Sequence, residues 1–253
     1  MSFSIKLGNF LYKNAFGLYK PMYTYFKNKQ DDFEISLLRK YIKKGDTVLD
    51  IGANIGYYAV MLSNCVGDNG KVYCFEPDKT NFNHLEKATA NYKNISILNK
   101  AVGPKTEKIK IYTSKELNVD HRTYQPEEYD KVIEIDAVSI DDYLTRGTEP
   151  IQVQKVDFVK IDIQGFEMQA IQGLKKTLEN NQHIKLISEF WPYGLSKAGS
   201  SVSEYFTFLQ SLQFNCYLLE KDSLSLLSVE KVKTLEGLDK KHYFNIFATR
   251  EHV

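Results

Sequence analysis

Between Val48 and Tyr57 the chain reads Val-Leu-Asp-Ile-Gly-Ala-Asn-Ile-Gly-Tyr. One carboxylate, Asp50, ends an apolar run; two glycines, Gly52 and Gly56, follow with Asn54 between them, and a second apolar run starts at Tyr58. The pattern predicts a buried strand, a tight turn and a helix start, the place where an open α/β sheet holds a nucleotide-like ligand. Small residues let the backbone approach such a ligand, and a helix N-terminus offers free N–H groups to its carboxylate. The Gly-x-Gly-x-x-Gly pattern of pyrophosphate binding is absent. Asp50 would repel a pyrophosphate and attract an ammonium or sulfonium. Glu76 ends the next apolar run, where an acid accepts the ribose hydroxyls of an adenosine. Adenosine joined to a cationic amino acid points to S-adenosylmethionine rather than NAD.

A second set of groups could act on an acceptor. Residues 160–167 read Lys-Ile-Asp-Ile-Gln-Gly-Phe-Glu. Asp162 and Glu167 fall at the C-terminal end of another apolar strand, and Gly165 permits a tight turn between them. These carboxylates could bind a hydroxyl, act as a base, hold a metal ion or stabilise a methyl donor. Glu189 stands beside the only tryptophan, Trp191, at a further strand end. His121 lies with Arg122 in a polar loop. Structural roles compete in each case. Glu76 and Glu167 suit the positive end of a helix, Trp191 suits core packing, and a lone loop histidine is commonly solvated.

The elements that position these groups follow from hydrophobic period. A helix over 33–43 is expected, capped by Asp31 or Asp32. Strands are expected at 47–51, 71–75, 95–100, 156–163, 184–190 and 214–219, with a last one at 243–249. Asp78 opens a helix that turns Phe82, Leu85 and Tyr92 inward. Residues 108–113 alternate as a half-exposed strand that pairs with 132–138, and 114–130 reads as a loop over a site. Phe166, Ala170, Ile171, Leu174 and Leu178 form the face of one helix, and Ser201 with Glu204 fits a capping box. Strands alternating with helices imply an α/β, doubly wound, mostly parallel sheet.

At 253 residues, 43% apolar and 26% charged, the chain has the composition of a globular protein. A net charge of +1 argues against whole-molecule attraction to nucleic acid. Cys65, Cys74 and Cys216 show no CxxC spacing and read as reduced thiols. No apolar run reaches the roughly 18 residues of a membrane span and no signal peptide is recognised, so a cytoplasmic location is expected. Residues 1–30 form a basic, aromatic arm with five lysines and no acid. It reads either as a helical lid whose lysines face water or as a surface that touches a membrane, a glycan or a partner. Residues 31–253 read as one domain.

With these residues in view, the chain resembles the FkbM family of S-adenosylmethionine-dependent methyltransferases. The resemblance runs through residues 45–56, Phe75-Glu76-Pro77, Asn99-Lys100-Ala101-Val102 and residues 160–167, in that order. It implies a class I, Rossmann-like fold with a seven-stranded sheet whose last strand is antiparallel. It implies a donor pocket made by Asp50, Gly52, Asn54, Gly56, Tyr57, Glu76, Pro77, Ala101 and Asp162. It also implies methylation of a hydroxyl on a saccharide or small natural product. The general base is expected at Asp162 first, then Glu167, Glu189 or His121. Rival readings are a nucleic-acid or protein methyltransferase, a Mg²⁺-assisted O-methyltransferase using Asp162, Glu167 or Glu189, and a non-catalytic donor-binding scaffold. No Asn/Asp-Pro-Pro-Tyr-like run ends the strand before Gln164, and near-zero net charge supplies little phosphate affinity.

Overall fold

A computed structural model describes residues 3–113, 129–146 and 155–253. Its strands are β1 (Thr47–Ile51), β2 (Lys71–Phe75), β3 (Ile95–Leu98), β4 (Ala101–Val102), β5 (Glu107–Tyr112), β6 (Val132–Val138), β7 (Phe158–Ile161), β8 (Lys185–Phe190), β9 (Asn215–Leu219), β10 (Leu224–Leu226) and β11 (Phe244–Thr249). Eight of them form one sheet in the order β10-β9-β11-β8-β7-β1-β2-β3, and β4, β6 and β5 form a second. β1, β2, β3, β7 and β8 run parallel, while β11 lies antiparallel to both β8 and β9. The chain leaves β1 for β2 and β3 on one side and returns to β7 on the other. That reversal beside β1 is where an open α/β sheet opens a crevice at its strand C-termini.

The helices are α1 (Phe3–Asn14), α2 (Phe16–Gln30), α3 (Asp32–Tyr41), α4 (Tyr57–Val66), α5 (Lys79–Thr89), α6 (Ile140–Arg146), α7 (Glu167–Gln172), α8 (Lys175–Asn180), α9 (Pro192–Lys197), α10 (Val202–Ser211) and α11 (Val229–Leu235). Alternate residues of the central strands feed two cores. Val48, Val72, Phe158, Ile187 and Phe247 meet Leu38 of α3, Leu62 of α4 and Leu85 of α5. Leu49, Ile51, Phe75, Val159 and Ile161 meet Ile171, Leu178, Tyr205 and Leu209 on the other face. Burial on both faces explains why β1 and β7, past the half-buried Thr47, are apolar except for Asp50 and Lys160.

Several expectations are revised. The helix expected to carry Phe166 to Leu178 breaks at Gly173. A Cβ there would lie 2.0 Å from the Gly103 carbonyl oxygen, so α7 and α8 part to admit that strand end. The strand expected over 95–100 ends at Leu98. Asn99 Nδ2 donates to the carbonyls of Glu76 (2.9 Å) and Pro77 (3.0 Å), and the chain bends into the second sheet. The strand expected over 156–163 keeps only Phe158–Ile161. Asp31 sits at the N-cap of α3 but its side chain caps nothing. It is taken instead by Lys27 (2.5 Å) and the Tyr58 hydroxyl (2.7 Å). The hairpin of β10 on β9 raises the sheet from seven strands to eight. Helices α6, α9 and α11 had no counterpart in the pattern. Other expectations hold closely: β1 and β2 match to the residue, β5 pairs β6, and Asp78 and Ser201 accept the backbone N–H groups of Asn81 and Glu204. Tyr92, expected on the helix that Asp78 opens, lies beyond its end at Thr89, and the loop expected over 114–130 falls outside the described residues from 114 to 128.

Candidate functional site

The C-terminal ends of β1, β2, β7 and β8 open into a cavity of about 560 Å³. Gly52, Asn54, Tyr57, Glu76, Pro77 and Ala101 line one half; Asp162, Gln164, Glu189 and Trp191 line the other. The inner face of α2 closes it with Tyr19, Tyr23 and Lys27.

The glycine turn is shaped by protein neighbours as much as by room for a ligand. Gly52 has φ +86°, and a Cβ on it would lie 2.0 Å from the Asp162 carbonyl oxygen and 2.9 Å from Ile163 Cγ2. The missing side chain therefore lets the turn after β1 press against the turn after β7. Gly56 begins α4, and its open side faces Leu85 of α5. The backbone N–H groups of Gly52 and Ala53 donate to the Phe75 carbonyl, tying the turn to β2.

Asp50 lies beneath this turn, fully buried and outside the cavity lining, with no hydrogen-bond partner among the described residues for either carboxylate oxygen. Burial raises its pKa to about 6, with Lys160 pulling the other way. The Asn54 side-chain oxygen is likewise unpartnered. Glu76 faces the cavity. Its oxygens accept the backbone N–H groups of Asn54 (2.8 Å) and Asp78 (2.9 Å), and burial raises its pKa to about 8. Each oxygen keeps acceptor capacity for a second donor. Orphaned acceptors beneath a glycine turn, with an acid at the next strand end, fit a ligand that combines a cation with donor hydroxyls.

Across the cavity, β-sheet register gathers a row of charge. Asp50 pairs Lys160 on β7, and Glu189 on β8 pairs Asn245 on β11, all on the face covered by α3. The Lys160 ammonium lies 3.6 Å from Asp162 and 4.2 Å from the Tyr58 ring centroid. Burial disfavours this cation, but Asp162, Glu34 and Asp50 outweigh it and hold its pKa high. Glu34, on the inward stripe of α3, accepts from Asn245 Nδ2 at 2.6 Å. Burial pushes the Asp162 carboxyl upward, yet Lys160 and Lys27 together hold it below the usual carboxylate range. Burial raises Glu189 well above that range, and the neighbouring Asp162 and Glu167 add to the rise. The Gln164 amide stands between the two carboxylates, 3.4 Å from Asp162 Oδ1 and 3.4 Å from Glu189 Oε2. Burial and charge thus push the two carboxyls in opposite directions, Asp162 towards the ionised form and Glu189 towards the protonated one, a separation that suits them to different roles.

Of the sequence-derived site residues, Gly52, Asn54, Tyr57, Glu76, Pro77, Ala101, Asp162 and Glu189 share the cavity wall. Asp50, Gly56 and Glu167 do not. Glu167 is fully buried and its Oε1 accepts the backbone N–H groups of Ile163 and Gly165 (3.1 Å each), so it braces the turn that carries Asp162. His121 lies outside the described residues. Five site residues escaped the pattern: Lys27, Asp31, Glu34, Lys160 and Asn245. Two carried a readable signal, since Lys160 is a cation inside a buried strand and Glu34 an acid on an apolar helix stripe. Lys27 also departs from the expectation of water-facing arm lysines. Burial disfavours its cation, but Tyr23, Asp31 and Asp162 more than compensate. Among the described residues, no group of three or more His, Cys, Asp or Glu side chains is arranged to hold a metal ion.

Residues 50–216 match the family described as the Methyltransferase FkbM domain. No curated protein matches the chain. Among solved structures, the chain is similar to a SAM-dependent methyltransferase from Aquifex aeolicus (16% identity, 87% of this chain and 92% of that one, TM-score 0.48). It is similar also to a SAM-dependent O-methyltransferase from Thermotoga maritima (15%, 89% and 66%, TM-score 0.46). A third is an rRNA methylase from Streptococcus thermophilus (11%, 87% and 95%, TM-score 0.49).

Proposed function

Because the chain belongs to the FkbM methyltransferase domain family, we propose that it methylates a hydroxyl group of a saccharide or small natural product. The methyl donor is S-adenosylmethionine, which supplies a methyl group already activated on a sulfonium. Glu76 and the Gly52–Gly56 turn would hold its adenosine and amino-acid ends, with Asp50 answering the ammonium from below.

The observation that carries the hydroxyl reading is the Asp162–Gln164–Glu189 set at the mouths of β7 and β8. An alkyl hydroxyl gains about 10²–10⁴-fold from a positioned base. Asp162, ionised beside Lys160, accepts the hydroxyl proton as the oxygen takes the methyl group. Its side chain is 38% exposed to the cavity, so the proton can then leave to water. Glu189, whose burial favours the protonated form, would present a proton to a neighbouring oxygen, which suits an acceptor with adjacent hydroxyls. Tyr23, Trp191 and Tyr243 line the same cavity and offer apolar faces to a sugar ring. Holding acceptor and donor in line while excluding water contributes several further kcal/mol.

The test is transfer of labelled methyl from S-adenosylmethionine into fractionated cell extract, with Asp50→Ala as the blank. Base-stable label in a glycan or small-molecule fraction, reduced about 10²-fold or more by Asp162→Asn with donor binding kept, is the expected result. Label in RNA or protein overturns the acceptor class, and full turnover by Asp162→Asn removes that residue as the base.

A further inference from the structure

The arm that closes the cavity has a second face. Ten large apolar side chains are exposed among the described residues, and five of them belong to α1 and α2: Leu7, Phe10, Leu18, Tyr25 and Phe26. Leu18, Pro21 and Tyr25 follow one another along one side of α2 at helical spacing, and Leu18 and Tyr25 are 68% and 65% exposed. Lys13, Lys20 and Lys29 are exposed around them. This outward orientation is set by anchors on the opposite side. Tyr12 donates to Asn81 (2.5 Å), Tyr57 donates to Asn28 (2.6 Å), and Lys27 turns inward to Asp31. A lid that merely packed on the body would show its lysines to water and bury its aromatics. Here Phe10 and Phe26 stay outside at 60% and 59% exposure.

Charge selects the occupant. Residues 1–30 carry five lysines and no acid, so the other 223 residues of this +1 chain carry −4. A second copy docking by two-fold symmetry would set this basic face against itself, which like charges oppose. An anionic lipid surface instead attracts the lysines and takes the aromatic and leucine side chains into the headgroup boundary. No described helix is long and apolar enough to cross a membrane, so such contact is peripheral.

We propose that the outer face of α1 and α2 is a docking surface for an anionic bilayer. The inner face of α2 lines the cavity, so docking sets the reaction chamber next to the lipid headgroups.

The experiment is flotation of the full chain with vesicles of phosphatidylcholine, pure or mixed with phosphatidylglycerol, at low and high salt. Binding is expected only to the mixed vesicles, with salt weakening it. Phe10→Ser/Leu18→Ser/Tyr25→Ser/Phe26→Ser should lower partitioning at least ~10-fold, and Lys13→Glu/Lys20→Glu/Lys29→Glu should do the same without touching an apolar group. S-adenosylhomocysteine binding by both variants reports that they are folded. Equal binding to both vesicle types, no binding to either, or variants that float like the parent would each overturn the proposal. So would light scattering that shows an oligomer broken by the serine variant.

Discussion

Gly52→Ala tests whether the donor turn and the acceptor turn are built as one unit. The new Cβ would sit 2.0 Å from the Asp162 carbonyl oxygen and 2.9 Å from Ile163 Cγ2, at φ +86°. Two costs add. A side chain in the left-handed region costs about 1–2 kcal/mol. Overpacking against a neighbour that must shift costs about 1–3 kcal/mol more. The neighbour is backbone, held by the Asp162 N–H donation to the Ile51 carbonyl at 3.0 Å, and cannot rotate away. Gly45→Ala is the matched control, because Gly45 has φ +90° with nothing within 4 Å of its Cβ position. It carries the conformational cost alone. The gain from restricting the unfolded chain is common to both variants and cancels in their difference. Denaturant unfolding with unchanged m-value should place Gly52→Ala about 1–3 kcal/mol below Gly45→Ala. Displacing Asp162 should also lower turnover in Gly52→Ala alone, at saturating donor and acceptor. Equal stabilities for the two variants would refute the reasoning.

Three further outcomes follow from the same geometry. Asp50 titrates near 6 in the free protein, and a cationic ligand binds its ionised form. The Asp50 part of S-adenosylhomocysteine affinity, read by calorimetry as the difference between the parent and Asp50→Asn, should therefore hold above that pH and fall up to about tenfold per unit below it, the rise of the Glu76 pKa to about 8 being common to both. A difference that stays flat from about pH 8 to about pH 5 would contradict this. Lys160→Met removes the nearest cation from Asp162, so the acid limb of the kcat–pH profile should move up by about 1 unit or more, with Lys160→Arg restoring part of it. An unmoved limb would detach Lys160 from the chemistry. Glu167→Ala should cost about 1–3 kcal/mol of stability, since two backbone N–H groups lose their acceptor, and kcat should fall only alongside that loss, as the loosened turn displaces Asp162. A collapse of kcat at full stability would return Glu167 to the catalytic set.

What was legible in the chain was whatever local chemistry decides. Val48 to Gly56 spelled strand, turn and helix, because burial on both faces demands apolar residues and φ +86° at Gly52 demands glycine. Asp78 and Ser201 announced their helices through caps that reach only three residues along the chain. The same local logic missed the break at Gly173, because its cause, the Gly103 carbonyl, comes from a strand 70 residues earlier. Asp31 looked like a cap and became an ion-pair and hydroxyl partner once α2 and α4 packed on either side of it.

The sequence by itself determined the half of the site proposed for the donor, whose Asp50, glycines and Glu76 stand at strand ends that period and turn chemistry mark out. Only the tertiary structure decided the half proposed for the acceptor. Strand register set Asp50 beside Lys160 and Glu189 beside Asn245, and helix packing brought Glu34 to Asn245 from 211 residues away. A strand's own residues specify which face each side chain takes, since they alternate. Which strand lies next to it, and what covers that face, depends on crossovers and packing that no local pattern records.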